Sequence, residues 1–179
     1  MPEKSDTLPV VVMGVAGSGK TVVGSALAEA LGVAFIEGDQ LHPPENVARM
    51  ASGLALRDED RVGWLEAVGK KIVASAPNGA VAACSALKRR YRDQLRRHYP
   101  SLLFLHLAID RETAYRRVGE RKGHFMPASL VESQFATLEL LAADEAGLTL
   151  DGTRPVEELV AASIAFLKRE GWRRSEHRA

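Results

Sequence analysis

A chain of 179 residues that is 46% hydrophobic has enough apolar material for one globular domain with its own core. The formal net charge of +1 excludes recognition of nucleic acid by bulk charge, so any basic chemistry has to be local. A single cysteine, Cys84, excludes an internal disulfide, and with neither a secretory apolar segment nor a run near ~18 apolar residues the expectation is a soluble cytoplasmic protein.

Residues 1–7 are polar and mixed in charge and read as a frayed tail. Val10 to Met13 reads as a strand, and Val22, Val23, Ala26, Leu27, Ala30 and Leu31 fall at helical spacing. Between them stands Gly14-Val-Ala16-Gly17-Ser18-Gly19-Lys20-Thr21, a G-x-x-x-x-G-K-[ST] match. The strand before it and the helix after it set it apart from a flexible Gly/Ser turn. Glycines at 14, 17 and 19 let successive N–H groups turn inward as a nest for anionic oxygens, at the positive end of the helix that Val22 continues. Lys20 then reaches the β- and γ-phosphates of ATP, and the Thr21 hydroxyl sits on Mg²⁺.

Gly32 ends the first helix, and Val33 to Ile36 reads as a second buried strand leading into Glu37-Gly38-Asp39. A helix is predicted from Pro44 or Glu45 to Met50, then an acidic loop over 54–60 and a helix from Arg61 to Ala74. The third strand runs from Ala80 to Cys84 and ends at Ser85; a helix follows from Leu87 to His98, and Leu102 to Leu107 is the fourth strand. Asp110 begins a helix to about Arg121, Gly123 interrupts it, and Pro127 restarts one to about Leu141. The strand Leu148 to Leu150 leads through Asp151-Gly-Thr-Arg-Pro155 into a final amphipathic helix, Val156 to Arg169, with residues 172–179 as a frayed basic tail.

Apolar strands alternating with helices predict an α/β fold: a parallel sheet covered on both faces, in three α/β/α layers. With a leading phosphate loop this is a single P-loop domain, and analogy with small P-loop kinases gives the order 2-3-1-4-5 and a helical lid near residues 117–134. Ligands in such sheets sit outside the carboxyl ends of the strands, which ranks the remaining candidates.

Asp39, just past the second strand, is placed to orient an attacking hydroxyl and accept its proton; the alternative is a turn aspartate after Gly38. His42 shapes the acceptor pocket or is structural. Ser85 stands where a Walker B aspartate is expected, which leaves the metal to Thr21, phosphate oxygens and water. On the basic helix, Leu87, Tyr91 and Leu95 share the buried face, and Lys88 and Arg92 are the candidates for an anionic substrate, with Arg89, Arg90, Arg96 and Arg97 a solvated face. Arg61, read as opening a helix against the dipole, calls for a ligand or partner acid. Arg117 and Arg121 project from one helical face and can close over the transferring group, or form a surface pair. Arg154 follows the last strand and is a candidate for the adenine side, or part of a plain turn.

Several stretches in order resemble the gluconate kinase (gluconokinase) family of small P-loop kinases over about Val10 to Leu167. They are the loop at 14–21, Gly38-Asp39-x-x-His42-Pro43, Met50-Ala-Ser-Gly53, Asp58-x-Asp60-Arg61-x-x-Trp64-Leu65, Ala83-Cys-Ser-Ala-Leu-Lys88-x-x-Tyr91-Arg-Asp93, Arg121-Lys-Gly-His124-Phe125 and Gln134-Phe-x-x-Leu138-Glu139. The resemblance implies ATP-dependent phosphorylation of D-gluconate at its terminal hydroxyl, a mobile lid, and a protein that is often a homodimer. A sugar acid has a carboxylate for Arg61, Lys88 or Arg92 and hydroxyls for Asp39, His42, His124 or Gln134. Gly63 and Leu141 replace prolines usual in the family, which bears on loop rigidity more than on chemistry. The competing readings are another small-molecule kinase on this scaffold, shikimate kinase-like, and a non-catalytic nucleotide-binding module.

Overall fold

Short strands rich in Val, Leu and Ala can be buried on both faces only if helices cover both sides, and the chain supplies them alternately. The structure, a computed structural model, describes residues 8–121 and 127–173. Its strands are β1 Val10–Met13, β2 Ala34–Glu37, β3 Ala80–Ala83, β4 Leu103–Ala108 and β5 Gly147–Asp151. All pair in parallel, in the order β2-β3-β1-β4-β5. The helices are α1 Lys20–Leu31, α2 Pro44–Ala51, α3 Asp58–Ser75, α4 Arg89–His98, α5 Arg111–Glu120, α6 Ala128–Thr137 and α7 Val156–Arg169.

Alternation along each strand divides the core. Val11, Met13, Ile36, Ala82 and Phe104 face α3 and α4, meeting Trp64, Leu65, Val68, Tyr91 and Leu95. Val10, Val12, Val81, Leu103, Leu105 and Leu107 face α1 and α7, meeting Val23, Leu27, Leu159, Phe166 and Leu167. Register aligns the strand ends: Glu37 pairs with Ala83, Met13 with His106, and Ala108 with Asp151. Every loop that leaves this carboxyl edge can therefore contribute to one site.

Three expectations change. The stretch 54–60 is not all loop, because α3 opens at Asp58 rather than Arg61. Three acids occupy its first turn, where the dipole favours them, and the Asp60 carboxylate accepts from the Arg57 N–H at 2.8 Å. The second half of the 127–141 helix stops at Thr137: Glu139 leaves to donate its N–H to the Leu87 carbonyl at 2.7 Å, and its carboxylate accepts from the N–H of Arg89 at 2.8 Å. That exchange satisfies a donor in the first turn of α4. Trp172, assigned to a frayed tail, is buried against the α1–α7 side of the core. Among the described residues no helix is long and apolar enough to cross a membrane.

Candidate active site

The phosphate loop joins β1 to α1. Gly19, the residue before α1, lies at φ 96°, in the left-handed region that glycine enters without penalty. The Lys20 Nζ donates to the Val15 carbonyl at 3.0 Å, folding the side chain back over the loop. Burial lowers the Lys20 pKa from its ordinary value; Asp39 is the largest charge opposing the drop, and Arg121 the largest reinforcing it. The Thr21 hydroxyl donates to a carboxylate oxygen of Glu37 at 2.6 Å.

Glu37 is one residue that sequence reasoning passed over. Its signal was an acid at the last position of a strand, two residues before Asp39. Gly38 between them is forced by space: a Cβ there would lie 2.3 Å from the Ala83 carbonyl oxygen. The chain can tuck against the end of β3 only without a side chain, and the short 3-10 turn Gly38–Leu41 then carries Asp39 out over the edge.

Two cavities flank the loop. One, of about 440 Å³, is lined by Ala16, Lys20, Asp39, His42, Arg61, Trp64, Ser85, Arg121 and Gln134 among others. It brings together the main candidates for acceptor chemistry, with Asp39 on the same side as Lys20. The other, of about 230 Å³, is lined by Gly17, Ser18, Gly19, Val22, Arg117, Arg121 and Arg154, with Val156 and Leu159 from α7. Arg121 lines both cavities. Arg117 donates to the Gly17 carbonyl at 3.1 Å and to the Gly152 carbonyl at 3.0 Å, bridging the phosphate loop and the turn after β5. Gln134, from α6, accepts from the Ala16 N–H at 2.6 Å.

Arg61 is 8% exposed. It shares the inner face of α3 with Trp64, Leu65 and Val68. One guanidinium nitrogen donates to the Leu56 carbonyl at 3.2 Å, Nε is buried without a partner, and the group stands 5.2 Å from the Tyr91 ring centroid. Among the described residues no carboxylate pairs with it. The dipole argument that singled Arg61 out does not hold, since it lies past the first turn of α3, but helical phase brings it to the cavity. His42 stacks on Trp64, and burial lowers its pKa to about 4 against the pull of Asp39.

Two candidates lie elsewhere. Arg92 is fully buried, and its guanidinium is held by Glu145 (2.7 and 3.0 Å) and by the carbonyls of Ala86, Leu87 and Leu140. Ala86 sits at φ 44°, so Arg92 pins a strained turn after β3 instead of reaching the cavity. Lys88 pairs with Asp58 at 3.1 Å, in a cluster with Arg90 and the Tyr91 hydroxyl, outside the cavity lining. His124 lies outside the described residues, as does the middle of the lid expected over 117–134. Burial pushes the Cys84 thiol up to about 12, leaving it inert at neutral pH.

The oxygen donors of Thr21 and Glu37, in contact beside the phosphate loop, suit a hard cation such as Mg²⁺. Among the described residues no group of three or more His, Cys, Asp or Glu could hold a metal by itself. Such an ion must therefore take its other ligands from phosphate and water.

A phosphate loop facing a polar, partly cationic cavity is an arrangement for moving a phosphoryl group onto a small acceptor. The family profile described as "Shikimate kinase" matches residues 16–149. The chain is 43% identical over 162 residues to the thermoresistant gluconokinase of Escherichia coli, covering 89% of this chain and 93% of that one. It is 45% identical over 163 residues to the gluconokinase of Gluconobacter oxydans, covering 90% and 92%. The crystal structure of a gluconokinase from Sinorhizobium meliloti superposes with a TM-score of 0.84 at 44% identity, over 92% of this chain and 93% of that chain. Identity at this level along nearly the whole length goes beyond a shared scaffold: the chain belongs to the gluconokinases, small kinases of the shikimate-kinase-like family.

Proposed function

We propose that this protein transfers the γ-phosphoryl group of ATP to the terminal hydroxyl of D-gluconate, giving 6-phospho-D-gluconate and ADP. Arg61 carries the reading. A buried guanidinium with no carboxylate partner among the described residues, lining the cavity that also holds Lys20 and Asp39, calls for a ligand that brings its own negative charge. A sugar acid supplies that charge at one end and a primary alcohol at the other. Shikimate also carries a carboxylate, so Arg61 alone does not choose between them; the identity to gluconokinases favours gluconate.

The Asp39 carboxylate accepts the hydroxyl proton as the acceptor oxygen bonds to the γ-phosphorus and the bond from that phosphorus to the β–γ bridging oxygen breaks. Lys20 and the N–H groups of Gly17, Gly19, Lys20 and Thr21 hold the phosphates, and Arg121, at the border of the two cavities, offsets charge on the transferring group. Arg117, Arg154, Val156 and Leu159 line the remainder of the nucleotide side. Thr21, with Glu37 beside it, would hold Mg²⁺, which would supply charge neutralisation at phosphate oxygens. The homodimer rests on the resemblance to the family, the cytoplasmic location on the single cysteine, and Mg²⁺ on the oxygen donors beside the phosphate loop.

ADP release by the purified full chain, with gluconate, shikimate and related sugar acids as acceptors, tests the proposal. Gluconate should give the highest kcat/KM. Shikimate outpacing it would overturn the acceptor, and turnover that no acceptor stimulates would favour a nucleotide-binding module.

A further inference from the structure

We propose that Asn46 is a positioning residue: it fixes His42 as the Nε2–H tautomer, so that the ring meets the acceptor as a hydrogen-bond donor only. The part about the acceptor rests on the reading that this cavity takes a sugar acid; the tautomer does not.

Asn46 is buried on α2. One atom of its side-chain amide lies 2.8 Å from the Asp60 carbonyl oxygen. A carbonyl only accepts, so that atom is the amide nitrogen, and the orientation of the amide is decided. The same nitrogen lies 3.2 Å from His42 Nδ1 and has a second hydrogen to give. Nδ1 must therefore offer a lone pair, and in the neutral ring the one hydrogen goes to Nε2. The ring plane is fixed as well. It stacks on Trp64 at 4.1 Å and 17°, and Trp64 is itself tied down by donating to the Gly38 carbonyl at 2.8 Å.

Among the described residues Nε2 has no protein partner, and His42 lines the acceptor cavity. The charged groups facing the ring are Asp39 and Arg61, which act on it in opposite senses. Burial, reinforced by Arg61, outweighs Asp39 and keeps the ring neutral through the physiological range. His42 therefore offers one N–H to an oxygen lone pair of the acceptor and has no free lone pair to take a proton. The task of accepting the hydroxyl proton is left to Asp39. The donor also selects: an acceptor lacking an oxygen at that point leaves a polar group in the cavity unmatched.

Two measurements on the full-length protein test this. In ¹⁵N-resolved spectra of the histidine side chains without substrate, His42 should show a bare Nδ1 and a protonated Nε2 at about pH 7. A protonated Nδ1 overturns the proposal whether or not gluconate is a substrate. The correct tautomer with no gluconate turnover would sink the functional reading alone.

The second measurement uses Asn46→Asp, which puts a carboxylate against Nδ1 and raises the ring pKa. Below that pKa both nitrogens carry hydrogens and the donor at Nε2 survives. Above it, the single hydrogen moves to Nδ1 and Nε2 turns a lone pair toward the acceptor. The gluconate KM of the variant should therefore be raised about tenfold at about pH 8 and fall back toward the wild-type value near pH 6, with the ATP KM unchanged. The wild-type KM should be flat over the same range. Parallel profiles for the two proteins would overturn the proposal, and should the variant not fold, the wild-type spectrum decides by itself.

Discussion

Arg61→Met should raise stability and weaken acceptor binding together, a pairing that a structural arginine cannot produce. In the free protein the guanidinium keeps one hydrogen bond, to the Leu56 carbonyl at 3.2 Å, and a contact with Tyr91 at 5.2 Å, while Nε is buried and unpaired. Methionine forfeits about 1 kcal/mol for the hydrogen bond and about 0.5–2 kcal/mol for the cation–π contact. It also removes a buried charge without an ion-pair partner, which costs several kcal/mol to keep. The balance leaves the free protein unchanged or more stable by about 1–3 kcal/mol, and a domain of this size gains about 2–4 °C in Tm per kcal/mol. With gluconate bound, the variant loses a charge-assisted contact worth about 1.5–3 kcal/mol, so KM should rise about ten- to hundredfold while the ATP KM holds. Thermal unfolding with and without gluconate, alongside ADP release, reads both effects. A Tm that falls by several degrees with KM unmoved would show that Arg61 holds the fold, and the argument for an anionic acceptor would lose its support.

Asp39→Asn should lower kcat by about 10²–10⁴ and leave binding of a non-hydrolysable ATP analogue intact by calorimetry, because only acceptance of the hydroxyl proton is removed. Gly38→Ala should cost at least about 3 kcal/mol in urea unfolding, since its Cβ would lie 2.3 Å from a backbone oxygen that cannot move out of the sheet; an unchanged midpoint would mean the turn can shift. His42 titrates near 4 in the folded protein against an ordinary 6.5, so between those values the unfolded chain binds the extra proton. Stability is then intact above about pH 6.5 and declines toward pH 4 by up to about 3 kcal/mol, less for partial exposure, with His106 lowered in the same direction. Unfolding curves of His42→Gln at pH 7 and 4.5 should show a smaller decline than the wild type.

The sheet was legible because each strand is a continuous apolar run between turn signals, and burial on both faces leaves such a run little choice. Its strand order was not in the runs themselves; it came with the phosphate loop. Where the reading missed, a hydrogen-bond or packing partner decided, near in the chain in the first case and farther off in the other two. Acids over 58–60 look like a loop by composition, yet they become the first turn of α3 once Asp60 accepts from the Arg57 N–H. Leu138 and the residues after it keep an apolar pattern, but Glu139 exchanges hydrogen bonds with Leu87 and Arg89 instead of continuing α6. Trp172 sits among basic residues, and its burial is set by α1 and α7, not by its neighbours in the chain.

The site divides in the same way. Residues of the phosphate loop are adjacent in sequence, so their spacing describes their geometry. Glu37, Asn46 and Trp64 act through neighbours from other elements, and neither the spacing of Glu37 to Asp39 nor that of Asn46 to His42 says so by itself. Arg61 and Arg92 were candidates for the same task, one from the helix dipole and the other from its helical face, and the difference between them in the structure is an acid. Arg92 meets Glu145, separated by 53 positions in the chain and brought beside it only by the fold. Lys88 likewise meets Asp58. Each of those cations is satisfied before any ligand arrives, and for Arg92, giving up a buried, bidentate partner to take a substrate carboxylate would gain nothing. Arg61 has no such partner among the described residues. An unmatched buried cation is tolerable in a free protein only where stability is exchanged for recognition, and on the proposed reading the free energy withheld at Arg61 becomes available when the acceptor's carboxylate pairs with it.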